Sequence, residues 1–269
     1  MGGAAGDQRS HPLRVRIRAR AALAAPLAIA ALLLAAVPPA GAGVVARDAS
    51  LADGTFGEFD QTNQQAGTLK TTTTNPYDGR YAATASYSGG GANGFSRGLF
   101  DIHWGEGDDA WYGAAFYLPA GFKQQMQGEV DLMRWDNWDL DPTHTDRCGV
   151  VMYGSDKKGR FLCWELGVNG SETARIGPFK IPTGRWTWLE VHQHFSTHDG
   201  QAQSELFKNG KKVGGTQQAN FFGRSVTNIR YGLVAMADSD QKKTLSLGFD
   251  RAMVGPHRLD PGPLQKTQG

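Results

Sequence analysis

The stretch Gly184 to Ser196, GRWTWLEVHQHFS, alternates so regularly that it reads as a strand with two unlike faces. Every second residue from Thr187 gives Leu189, Val191, Gln193 and Phe195, a mostly apolar row with one amide in it, suited to a core. The opposite row is Trp186, Trp188, Glu190, His192 and His194, and Trp186, directly after the turn pair Gly184-Arg185, is expected to tuck into the end of the core. For any one of these residues the plain reading is a solvated face with a satisfied histidine. The spacing argues for more: residues two apart on a strand stand roughly 7 Å apart on one side, so His192 and His194 can both touch one ligand group.

The rest of the chain repeats this pattern. Strand-like runs recur at Tyr81 to Tyr87, at Phe95 to Trp104 with Arg97 and His103, and at Trp111 to Leu118, which Pro119 and Gly121 end. Glu129 to Asn137, EVDLMRWDN, places Val130, Leu132, Arg134 and Asp136 on one side and Met133 and Trp135 on the other. Asn209-Gly210 is a tight hairpin turn, and Thr227 to Met236 and Thr244 to Met253 complete the strands. No window shows a capped 3.6-residue period, and no repeat suggests a propeller. The expected fold is all-β: two antiparallel sheets packed face to face in a curved jelly roll, whose concave outer face suits an extended polymer. Gly89-Gly90-Gly91 lacks the Lys-Ser/Thr and the helix of a phosphate cradle and reads as a loop.

Arg14, Arg16, Arg18 and Arg20 precede an apolar run from Ala21 to Val37, and Ala40-Gly41-Ala42 offers a cleavage site. Residues 1–42 therefore read as a signal peptide, 43–258 as the jelly-roll domain and 259–269 as a flexible tail, in a secreted monomer with no membrane attachment after cleavage. Removing the leader turns the formal charge from +2 to −2, which gives no support for a nucleic-acid partner. In an oxidising compartment Cys148 and Cys163, on either side of the turn-rich tip Gly154 to Gly159, are expected to form a disulfide across a hairpin, worth about 3 kcal/mol. The acidic clusters Asp108-Asp109 and Asp139-Asp141 lack a recognisable ligand spacing, so no cofactor or metal is assigned, a structural calcium being left open.

WYGAAFYLPAGF, EVDLMRWDN, GRWTWLEVHQHFSTHDGQAQSELFKNGKKV, IRYGLVAM and LGFDRAMVG, taken in succession, resemble the jelly-roll polysaccharide lyases of the heparin lyase I, glucuronan lyase and alginate lyase type, within the concanavalin A-like lectins and glucanases. The resemblance covers roughly Thr55 to Gly255. It implies β-elimination at a uronic acid: one group neutralises the carboxylate, a His or Tyr takes the C5 proton, and a Tyr protonates the departing O4. Two motifs depart from the family. Arg134-Trp135-Asp136 stands where such lyases have Gln-x-His, and Gly232-Leu233-Val234 where they have Gly-x-Tyr. Arg134 is the candidate to neutralise the carboxylate, His192 or His194 to act as base, and Tyr153 or Tyr231 to act as acid, while Arg97, His103, Asp136, His144, Trp188 and Glu190 are candidates to bind substrate. Arg134, Asp136, Glu190, His192 and His194 are expected to share one concave sheet face. The alternative is a noncatalytic carbohydrate-binding protein of the same fold, which the missing Gly-x-Tyr favours. A retaining glycosidase would need a paired-carboxylate strand that is not present.

Overall fold

The computed structural model describes residues 46–90, 94–137, 146–165, 171–235 and 241–262. The leader and His144 lie outside these residues. The elements in chain order are β1 (Arg47–Ala49), β2 (Gln61–Gln65), β3 (Gly67–Thr72), β4 (Ala82–Tyr87), β5 (Gly94–Trp104), β6 (Asp109–Tyr117), the single helical turn α1 (Phe122–Gln125) and β7 (Val130–Asp136). They continue with β8 (Asp146–Met152), β9 (Gly159–Glu165), β10 (Ser171–Phe179), β11 (Trp186–His194), β12 (Gln203–Lys208), β13 (Lys211–Thr216), β14 (Val226–Ala235) and β15 (Leu245–Gly255).

The first sheet runs β13-β12-β11-β6-β15-β4-β3, with β1 added to β15, and the second runs β10-β9-β8-β7-β14-β5-β2. Every pairing is antiparallel, and the two sheets form the jelly-roll sandwich that the alternation implies. Asn209 and Gly210 adopt φ of 49° and 74° between the paired ends Lys208 and Lys211, the left-handed backbone that a two-residue hairpin turn requires.

The inward rows interlock. Leu189, Val191 and Phe195 are fully buried, and Phe195 packs against Trp104 of the second sheet with ring centroids 5.6 Å apart. Gln193, the amide in that row, is a cross-sheet hub whose Oε1 accepts from the Tyr112 hydroxyl at 2.8 Å and from Trp135 Nε1 at 2.6 Å. Cys148 and Cys163 face each other across the β8–β9 hairpin and are joined by the expected disulfide.

Three expectations need correction. A bulge between Asp131 and Met133 breaks the alternation of β7, so Val130, Leu132, Met133 and Trp135 all enter the core while Asp131, Arg134 and Asp136 point outward. Trp186 does not enter the sandwich core. It joins Trp188, Ala82, Ala115 and Leu259 in a satellite cluster on the outer side of the first sheet. The chain from Pro256 crosses this cluster: the Leu259 N–H donates to Glu190 Oε1 at 3.0 Å, and the Tyr77 hydroxyl donates to the Pro261 carbonyl at 2.8 Å. The segment taken from sequence as the start of a flexible tail is thus packed as far as Pro261.

Candidate functional site

The outer face of the second sheet carries a cluster of charged side chains that is buried, where charge on an outer face usually meets water. Cross-strand neighbours share a face, and the register sets Leu99, Arg230, Arg134 and Gly149 in one row and Asp101, Asn228, Asp136 and Arg147 in the next. Arg97 stands on β5 opposite Asn63 and Gly232. These groups are largely withdrawn from water, with Asp131 and Asp136 at 1% and 0% exposure and Arg97 and Arg230 at 7% and 6%.

The charges interlock. Arg134 Nη1 donates to Asp131 Oδ2 at 2.7 Å, and its Nε lies 3.3 Å from Asp136 Oδ2. Arg230 Nη1 reaches Asp136 Oδ2 at 2.6 Å, and its Nε donates to Asn228 Oδ1 at 2.6 Å. Burial works against the Arg134 cation, but Asp131 and Asp136 outweigh it and hold the guanidinium above its ordinary value. Arg97 is the exception. Its Nε donates to Asn63 Oδ1 at 3.0 Å and its guanidinium lies 4.2 Å from the Phe95 ring centroid, with no carboxylate paired to it among the described residues. Burial, then the neighbouring cations Arg230 and Arg134, push it down to about 9. A guanidinium in that state gains from any anion that reaches it.

The first sheet carries the histidines, so the expectation of one shared face fails: Arg134 is on β7 of the second sheet and His192 on β11 of the first. Alternation assigns residues to the faces of a strand, but it does not say which sheet the strand joins. Both ring nitrogens of His192 already face carboxylates, Nδ1 at 3.2 Å from Glu205 Oε2 and Nε2 at 3.0 Å from Asp109 Oδ1, and the ring stacks on Trp111 at 4.3 Å. His194 Nδ1 lies 3.0 Å from Asp109 Oδ2. These contacts tie β11 to β6 and β12 and leave neither ring nitrogen of His192 open to a substrate. Trp188 and Glu190, taken from sequence as substrate contacts, are 0% and 1% exposed beneath the strap at Leu259. Burial raises the Glu190 carboxyl, against the Leu259 N–H and Arg258.

Tyr231 is also excluded from an acid's role. It points into the core, fully buried, and donates to the Met253 carbonyl at 2.7 Å, with its phenol held well above the ordinary value by burial. Tyr153 follows β8 on the outer side of the second sheet and hydrogen-bonds Glu129; burial and then that carboxylate raise it, so it stays protonated. His103 is exposed on β5, six residues from Arg97 and roughly 20 Å along the strand. A cleft of about 200 Å3 lined by Thr72, Tyr117, Trp186 and Gly248 lies on the first sheet, but among the described residues no carboxylate, histidine or arginine lines it. Sequence reading missed Asp131, hidden by the bulge, and Arg230 and Asn228, whose outward alternation in TNIRYG was the available signal.

The match to known proteins agrees with this architecture. The Polysaccharide lyase family model matches residues 51–246, and the chain belongs to that family. No curated protein matches the chain. Among solved structures, the cellulose-induced protein Cip1 is 13% identical, covering 81% of this chain and 100% of its own, with a TM-score of 0.54. The alginate lyase Aly36B in complex with alginate tetrasaccharide is 11% identical over 81% of this chain and 100% of its own, also at 0.54. The marine PL-14 alginate lyase from Aplysia kurodai is 11% identical over 80% of this chain and 99% of its own, at 0.53. At these identities the likeness is one of fold.

Proposed function

We propose that the protein is a secreted polysaccharide lyase that cleaves a uronic-acid polymer by β-elimination on the outer face of its second sheet. The observation that carries this reading is Arg97, a largely buried guanidinium with no paired carboxylate among the described residues, set beside an Arg134–Asp131–Asp136–Arg230 network. The five groups sum to one positive charge, which one uronate carboxylate balances. Neutralising that carboxylate acidifies the C5 proton, the step on which elimination depends. The carboxylate-neutralising role thereby passes from Arg134, whose charge is taken by two aspartates, to Arg97.

Elimination leaves a conjugated C4–C5 double bond, so absorbance near the ultraviolet edge grows as product forms. The test is a panel of uronic-acid polysaccharides, glucuronan and alginate first because a near-neutral mature chain gives no sign of a strongly sulfated substrate, followed by absorbance and in parallel by affinity electrophoresis. Rising absorbance on one member supports the reading. Retardation without any absorbance change supports the second reading, a carbohydrate-binding protein of the same fold, which is favoured by Val234 where related lyases have tyrosine and by the inward-facing Tyr231.

A further inference from the structure

Asp131 is a buried carboxylate with one oxygen unused. Its Oδ2 accepts from Arg134, whereas its Oδ1 is buried without a hydrogen-bond partner among the described residues. Such a group is costly, and native structures keep few of them. The side chain points to the outer face of β7, between Val234 of β14 and Val151 of β8, which stand opposite Asp131 in the register and are themselves 7% and 0% exposed. Asp131 is 1% exposed, and Oδ1, with no donor among the described residues, keeps its lone pairs available. Asp131 is also near enough to Arg97 for its charge to bear on that guanidinium.

Resting on the lyase reading above, we propose that Asp131 is the catalytic base that takes the C5 proton of the uronic-acid unit bound at Arg97. The competing groups are otherwise engaged: Asp136 is held by Arg134 and Arg230, the phenol of Tyr153 by Glu129, and His192 and His194 belong to the other sheet. In the step, Asp131 Oδ1 bonds the C5 proton, the C5–H electron pair becomes the C4–C5 double bond, and the C4–O4 bond breaks with its pair on O4. O4 takes a proton from water, and the proton on Asp131 neutralises the hydroxide so formed, so the reaction needs no co-reactant. Charge is conserved within the site: as Asp131 becomes neutral, the negative charge it loses passes through C5 and C4 to the departing O4, while the charge that builds at C5 on the way is shared with the substrate carboxylate facing Arg97.

The experiment measures kcat and KM by ultraviolet absorbance on the polymer of the panel that the wild type cleaves. Asp131→Asn, which keeps an acceptor for Arg134, is expected to lower kcat about 100-fold or more with KM unchanged. Asp131→Glu keeps the ion pair while displacing the carboxylate by one methylene. It is expected to lose kcat in the same direction, and it covers the case in which the amide variant fails to fold. Asp131→Ala is expected to regain turnover when formate is added, a recovery that a purely structural role would not give. Wild-type turnover in Asp131→Asn or Asp131→Glu overturns the assignment, as does a loss in Asp131→Ala that formate does not restore. A wild type inactive on every polymer contradicts the lyase reading itself, a separate outcome.

Discussion

Single residues decide more than their neighbours at two places in this sandwich. Gln193 is the amide that interrupts an otherwise apolar inward row, and that interruption was visible in the sequence; its partners Tyr112 and Trp135 were not, because they arrive from another strand and from the other sheet. Gln193→Leu strands both donors in the core, so we expect a loss of about 2–4 kcal/mol in urea unfolding, with the fold kept at low temperature. Asp250, fully buried on β15, accepts from the backbone N–H groups of Tyr77 at 3.0 Å, Asp78 at 3.2 Å and Arg251 at 2.8 Å. Burial outweighs these bonds and pushes its carboxyl up to about 7 from an ordinary 3.8. The folded state therefore binds the proton more tightly than the unfolded state between those two values, and stability from this group falls as pH rises from 3.8 to about 7. Thermal unfolding followed across that range should show the downward slope in the wild type and its loss in Asp250→Asn. An unchanged slope in the variant would assign the pH dependence elsewhere.

Among the elements, strands were legible wherever alternation ran unbroken, as in β11, whose two faces are those read from GRWTWLEVHQHFS. β7 was misread because one bulge reverses the alternation within a seven-residue strand, and an extra residue leaves no mark in a pattern of apolar and polar types. The strap from Pro256 was unreadable for a different reason: its anchors, Glu190, Trp188 and Tyr77, are distant in sequence and its own residues carry no periodicity. The strap explains how an outward row of Trp186, Trp188 and Glu190 escapes water, which the sequence invited one to read as a ligand face. Leu259→Ala should cost about 2–3 kcal/mol by lost burial against Trp188, read as a lower midpoint in urea. A chain ending at Gly255 should in addition show red-shifted tryptophan emission as Trp186 and Trp188 meet solvent. Emission identical to that of the full chain would mean the strap does not cover them in solution.

For the molecule as a whole, the fold class followed from strand count, turn chemistry and the absence of helical period, whereas the pairing of strands into two sheets is a non-local fact that no local pattern encodes. That gap is the reason Arg134 and His192 were joined in one expected site and are separated by the thickness of the sandwich. The disulfide joins neighbouring strands of the second sheet, and its loop was readable from spacing alone. Replacing both cysteines by alanine should lower unfolding stability by about 3 kcal/mol on the loop-entropy account, checked by urea unfolding of the oxidised wild type against the double variant. The central claim is that chemistry belongs to the arginine face of the second sheet and not to the histidine face of the first. The most direct test compares Arg97→Ala with the double variant His192→Ala, His194→Ala, both confirmed folded, in the ultraviolet elimination assay on the polymer the wild type cleaves. The account predicts that Arg97→Ala loses turnover and that the double-histidine variant keeps it; turnover surviving in Arg97→Ala and lost in the histidine variant would contradict it.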